Sequence, residues 1–171
     1  MELNKDKRLL FIGDSITEWG RSGDFSDIGT GYVKLIQDYL ICSYPDKCPE
    51  ILNRGVGGDR IINLQSRWSQ DVIELTPDFL SISIGINDVW RQLDYENEPG
   101  QVTPEVFEEI YVDLLNKVYK NTNTQIILME PTIIEEDIQS KGNLKLRAYV
   151  EIVRKLAINY QAIYVPTHGH L

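Results

Sequence analysis

Three residues of this chain have types and settings that suit one chemistry. Ser15 stands in Gly13-Asp14-Ser15-Ile16-Thr17, directly after an apolar run. A serine at such a turn can present its hydroxyl as a nucleophile and turn its own N–H toward the negative charge that attack creates. Gly58 lies in Asn53-Arg54-Gly55-Val56-Gly57-Gly58-Asp59-Arg60, where paired glycines let main chain come close to a ligand. Asn87 lies in Gly85-Ile86-Asn87-Asp88-Val89-Trp90 and supplies a neutral amide donor that does not titrate. Each has a plainer reading by itself: a turn or N-cap for Gly-Asp-Ser, a tight turn for Gly-Gly, an Asx turn for the asparagine. Taken together they describe one nucleophile and three hydrogen-bond donors around a single carbonyl oxygen. Losing one such donor typically costs about 2.7–4 kcal/mol of transition-state stabilisation, so three aligned donors would be a substantial catalytic device.

The elements that would position them can be read from the apolar pattern. Runs at Arg8–Ile12, Glu50–Asn53, Phe79–Ile84, Gln125–Glu130 and Ala162–Val165 predict strands, several of them continuous apolar stretches as expected for burial on both faces. Between them lie helical stripes. Tyr32, Leu35, Ile36, Tyr39 and Leu40 form the first; Ile61, Leu64, Trp68, Val72 and Leu75 the second. Phe107, Ile110, Tyr111, Leu114, Leu115 and Val118 form the third, opened by Thr103 as N-cap and Pro104 at the first helical position. Leu146, Tyr149, Val150, Val153 and Leu156 form the fourth. Alternation of this kind predicts an α/β fold: a three-layer α/β/α arrangement around a five-stranded parallel sheet. Ligands of such folds bind outside the carboxyl ends of the strands, which is where all three motifs fall.

Size and charge narrow the function. The 171 residues suit one domain, and 42% hydrophobic with 25% charged residues is a globular composition. A net charge of −9 disfavours nucleic acid and anionic membranes as partners and is compatible with a neutral ester. The polar start, Met1-Glu-Leu-Asn-Lys-Asp-Lys-Arg, does not look like a signal peptide, and the expected location is cytoplasmic. Cys42 and Cys48 are expected to be free thiols, and without a wider Cys or His cluster no metal or other cofactor is expected.

Gly13-Asp14-Ser15, Gly58-Asp59 and Gly85-Ile86-Asn87-Asp88 resemble blocks I, II and III of the SGNH (GDSL-type) hydrolase superfamily, in order, within a match from about Lys7 to Val165. The resemblance implies strand order 2-1-3-4-5. It implies Ser15 as nucleophile, with the Ser15 N–H, Gly58 N–H and Asn87 amide as oxyanion hole. Leu10-Phe-Ile-Gly-Asp-Ser-Ile-Thr, Gly29-Thr-Gly-Tyr-Val and Ile84-Gly-Ile-Asn-Asp-Val-Trp-Arg-Gln further resemble the intracellular acetylxylan esterases of that superfamily. This implies a carbohydrate O-acetylesterase acting on a small-molecule or oligosaccharide ester, with Asp14, Trp90 and Arg91 at the substrate.

One block is missing. The superfamily's Asp-x-x-His should follow the fifth strand, yet Val165 and Thr167 stand three residues before His168 and His170. Three accounts are open: a shortened copy or fragment of a normal enzyme, a homologue that binds sugar but turns over little, or recruitment of His168 or His170 as base. A hydroxyl without a base is a poor nucleophile, so activity of these residues alone is expected to be impaired. The competing function is a non-catalytic carbohydrate-binding protein on an esterase scaffold. A last helix is also missing; apolar surface of the first and third strands is expected to lie open and to favour a homo-oligomer.

Overall fold

The computed structural model describes residues 2–24, 27–95 and 99–168. Five strands form one parallel sheet: β1 Arg8–Gly13, β2 Glu50–Gly55, β3 Phe79–Ser83, β4 Gln125–Met129 and β5 Ile163–Val165, in the order β2-β1-β3-β4-β5. Helices fill the connections: α1 Ser15–Glu18, α2 Tyr32–Ser43, α3 Ile61–Trp68, α4 Ile86–Asp94, α5 Pro104–Asn121 and α6 Lys141–Asn159.

The strand period of two sorts the core into layers. Leu10, Ile12, Leu80, Ile82, Ile126 and Leu128 belong to one apolar cluster with residues of α3, α5 and α6. Leu9, Phe11, Ile51 and Phe79 belong to the other, under Val33 and Leu40 of α2. Burying one such side chain contributes about 1.5–3 kcal/mol, which fixes the register of each strand.

The helices follow the predicted stripes with two departures. The expected stripe of α2 holds in part: Leu40 is buried and Tyr32 and Ile36 pack beside it with Val33, while Leu35 and Tyr39 are 68% and 61% exposed. The second stripe holds, but after α3 the chain widens into a π-helical turn, Ser69–Ile73. That turn brings both Trp68 and Val72 into the core. Thr103 caps α5 through Val106 N–H, and Pro104 opens it.

The expected opening over the first and third strands is not found. Leu9, Phe11, Phe79, Ser81 and Ser83 are all buried. Partial exposure falls further along the sheet, at Ile127 and Met129 of β4 and at all three residues of β5. The cluster under α2 centres on β1, β2 and Phe79 of β3, with Ile127 of β4 only partly buried at its margin. Cys42 and Cys48 are both free. No helix among the described residues is long and apolar enough to cross a membrane.

Candidate active site

Because every strand pair is parallel, all carboxyl ends meet one rim. Gly13 of β1 is level with Gly55 of β2 on one side and Ser83 of β3 on the other. Neighbouring strands lie about 4.8 Å apart. The chain therefore leaves the sheet at three adjacent points, and Ser15, Gly58 and Asn87 follow within two to four residues.

Ser15 is the first residue of α1 and is exposed. A first helical residue has no N–H partner inside its own helix. The helix is a single turn of four residues, so its dipole is small and the main-chain N–H itself is the useful donor. Asp14 is 2% exposed and its carboxylate accepts the Ile16 N–H at 3.0 Å. It faces inward as the cap of the serine turn rather than outward toward a substrate.

The loop after β2 lies against this turn. At Gly55 any β-carbon would overlap the main chain of Glu18, so only glycine lets α1 pack on the end of β2. A β-carbon at Gly57 would stand 3.9 Å from the Ser15 Cβ. Gly58 follows with φ of +81°, a conformation that costs an ordinary L-residue about 1–2 kcal/mol. It is exposed, with open space around it.

Asn87 completes the arc. Its Nδ2 donates to the Asp59 carbonyl at 3.0 Å, joining the loop after β3 to the loop after β2 across the tip of β1. A primary amide has two N–H groups. One anchors the side chain and the second is left to point at a ligand.

Sequence reasoning did not find the residues that hold these loops in place. Asn53 is fully buried; its amide donates to Thr17 O at 2.6 Å and Ile28 O at 2.9 Å, while its Oδ1 accepts Gly55 N–H. Arg67 is the second organiser. Its Nε and Nη2 each lie 2.9 Å from Asp59 Oδ2, its Nη1 donates to Asp71 at 2.7 Å, and its Nη2 reaches Gly13 O at 3.3 Å. It thus ties the residue after Gly58 to the strand that carries Ser15. Asp71 four residues after Arg67 was the one visible signal, as an i, i+4 ion pair.

Burial sets the charge behind the rim. Desolvation pushes the Asp14 carboxyl up to about 6 despite its bond from Ile16, and Asp59 adds repulsion. Desolvation pushes Asp88 up to about 7, although it accepts Ile61 N–H at 3.1 Å and feels Arg60. Asp59 is raised by burial, with Arg67 opposing the shift. Among the described residues no group of His, Cys, Asp and Glu could hold a metal ion.

Trp90 is 44% exposed on α4, and Arg91 lines an open cleft beside Arg60. His168 belongs to the opposite edge. Three strand steps, about 14 Å, separate the axes of β1 and β5. The main-chain N–H of His168 donates to buried Glu130 at 2.9 Å, which holds it there. His170 lies outside the described residues.

A layered α/β sheet with a serine turn, a glycine loop and an asparagine on three adjacent strand ends is the framework of a hydrolase. The chain belongs to the GDSL-like lipase/acylhydrolase family, whose sequence pattern matches residues 11–171. It is 36% identical over 177 positions to an acetylxylan esterase of Geobacillus stearothermophilus, covering 99% of this chain and 80% of that enzyme. The fold matches the crystal structure of Axe2, an acetylxylan esterase from Geobacillus stearothermophilus, with a TM-score of 0.91 and 34% identity over 99% of this chain and 80% of that one. It also matches LAE5, an alpha/beta hydrolase enzyme from the metagenome of Lake Arreo, Spain, with a TM-score of 0.90 and 31% identity over the same shares. Solved forms of Axe2 include catalytic mutants in which a serine, an aspartate or a histidine is replaced by alanine. By this resemblance the chain is a carboxylic ester hydrolase.

Proposed function

We propose that this protein is a serine esterase that removes acetyl groups from carbohydrate, with Ser15 as its nucleophile. Ser15 Oγ attacks the ester carbonyl. The oxyanion is held by the Ser15 N–H, the Gly58 N–H and the free N–H of the Asn87 amide. The observation that carries this assignment is the Asn87–Asp59 bond, because it fixes one donor and the loop of another across the serine strand. The catalytic serine mutant of Axe2 supports the role of Ser15, and the relatives' action on acetylxylan supports the acyl group and the sugar.

Asp14 acts through Ser15, as the cap that shapes its turn. Trp90 and Arg91 border the alcohol side of the ester. Attack gives the Ser15 proton to a base; collapse of the tetrahedral intermediate expels the sugar oxygen, which takes that proton to leave as a hydroxyl, and water then attacks the acetyl-serine, releasing acetate while Ser15 Oγ regains a proton. The proton moves through a base, and these residues hold no Asp-x-x-His to supply one. A polypeptide of these 171 residues alone is therefore expected to turn over slowly. Partly exposed apolar residues on α2 and at the β4–β5 edge support self-association; a monomer by light scattering would count against it.

The test is hydrolysis of a chromogenic acetate ester by this polypeptide and by one extended with the C-terminal residues of the Geobacillus relative. Faster turnover by the extended form, abolished by Ser15→Ala, is the expected result. An inert extended form, or a rate indifferent to Ser15→Ala, would overturn the assignment.

A further inference from the structure

An open cleft of about 430 Å³ lies between Arg60, Ile62, Arg91, Tyr95, Pro99 and Gln101. Both its walls grow out of the site just described. Arg60 adjoins Asp59, whose carbonyl anchors the Asn87 amide. Arg91 lies four residues after Asn87 in α4, and residues at that spacing share one helix face. The cleft is thus joined to the proposed oxyanion pocket through the Asp59–Arg60 loop and one turn of α4, while Ser15, Gly58 and Asn87 themselves do not line it. An acetyl group needs room for a single methyl, so a space of this size serves the alcohol part of the ester.

Two guanidinium groups face one cleft in a chain whose net charge is −9. Charge-assisted Arg–carboxylate bonds run at about 2.7–2.9 Å. Among the described residues neither arginine makes a carboxylate contact of that length, although Arg60 acts through space on the buried Asp88 carboxyl. Arg60 Nη1 reaches the Gly100 carbonyl at 3.4 Å, and Arg91 Nη1 stands 4.0 Å from Asp94. The guanidinium is the side chain best shaped for a planar carboxylate, and an aromatic ring such as Tyr95 offers a flat face to a sugar.

We propose that this cleft binds the leaving saccharide and selects one that bears a carboxylate, a uronic acid group, held between Arg60 and Arg91. The proposal rests on the esterase reading for the order of events, but its binding chemistry can be measured without turnover.

Titration calorimetry at low salt would compare xylotriose with xylotriose carrying one glucuronic acid branch. The acidic probe is expected to bind about tenfold more tightly or better, as one or two charge-assisted bonds would give. The preference should shrink with added salt. It should fall below about threefold in the Arg60→Gln, Arg91→Gln double variant, the charge contribution being removed. Arg60→Lys with Arg91→Lys should keep part of it, and circular dichroism would verify the fold of both variants. Equal affinity for the two probes, binding of neither, or a preference that survives the Gln double variant would overturn the proposal. Inorganic phosphate displacing the acidic probe at equal concentration would also overturn it, showing an anion site without saccharide selection. Because the readout is binding, a failed Ser15 mechanism leaves these outcomes unchanged.

Discussion

On the β1–β2–β3 side of the rim, Asn53, Arg67, Asn87 and Asp88 all direct buried or half-buried side chains to main-chain partners on other elements. On the β4–β5 side one buried carboxylate, Glu130, gathers nearly everything: Tyr164 hydroxyl, Arg154 at 3.1 Å and the His168 N–H at 2.9 Å. The first side is cross-braced from several strands, and the second depends on a single group at a half-exposed edge. Oxyanion donors must be preorganised to within a fraction of an ångström, whereas an edge strand need only stay paired. The bracing is where the proposed chemistry is.

Substitutions can break this contrast. The largest effect is expected from Ser15→Ala in the extended polypeptide, which should lower acetate ester turnover by about a thousandfold or more, while leaving the thermal midpoint nearly unchanged. Arg67→Met should come next. It leaves Asp59 without its cation and Asp71 with only Arg54 at 3.7 Å, and breaking a buried pair costs about 3–5 kcal/mol, read as a shift in the urea midpoint. Asn87→Ala removes one donor and should lower kcat by about a hundred- to a thousandfold with KM little changed.

Glu130→Gln sharpens the contrast from the other side. Losing the ionised acceptor should cost about 1–3 kcal/mol. Hydrogen exchange should speed at β5 amides and stay unchanged at β1 and β3. Equal acceleration in all three strands would contradict the division of the rim into two regions.

A last effect concerns pH. Burial raises Asp14 to about 6 and Asp88 to about 7, so the folded chain holds protons that the unfolded chain, with aspartates near 3.9, gives up. Unfolding therefore releases protons between about pH 4 and 7, and stability from these groups falls as pH rises through that window, then levels off. In Asp88→Asn the drop in thermal midpoint from pH 5 to pH 8 should be smaller than in the parent.

The same two regions differ in how far the residues announce them. The five apolar runs mark the strands to within a residue or two, because short β-branched and aliphatic runs alternating with helical stripes point to a parallel sheet; burial on both faces holds for β1 and β3, while β2, β4 and β5 keep partly exposed positions. Glycine and asparagine after successive runs mark the rim. Asn53 is invisible in the sequence, because its amide's partners Thr17 and Ile28 lie tens of residues away; Arg67 shows only the i, i+4 pairing with Asp71, which a solvated surface pair would show equally, and its tie to Gly13 is long-range. Leu35 and Tyr39 misled in the opposite sense. A helix on the outer layer of a small sheet buries a narrow stripe, and its remaining apolar residues fit the same helical period without touching the core. The resemblance puts Asp14 at the substrate; its burial as a cap follows from the one-turn helix, whose end the sequence does not mark.

A structure of the protein with a methylphosphonate bonded to Ser15 Oγ would test the proposed site most directly, since the adduct mimics the tetrahedral intermediate. One phosphoryl oxygen should lie within about 3.1 Å of Ser15 N, Gly58 N and Asn87 Nδ2 together. An adduct on another residue, or an oxygen turned to solvent with Gly58 and Asn87 out of reach, would contradict it.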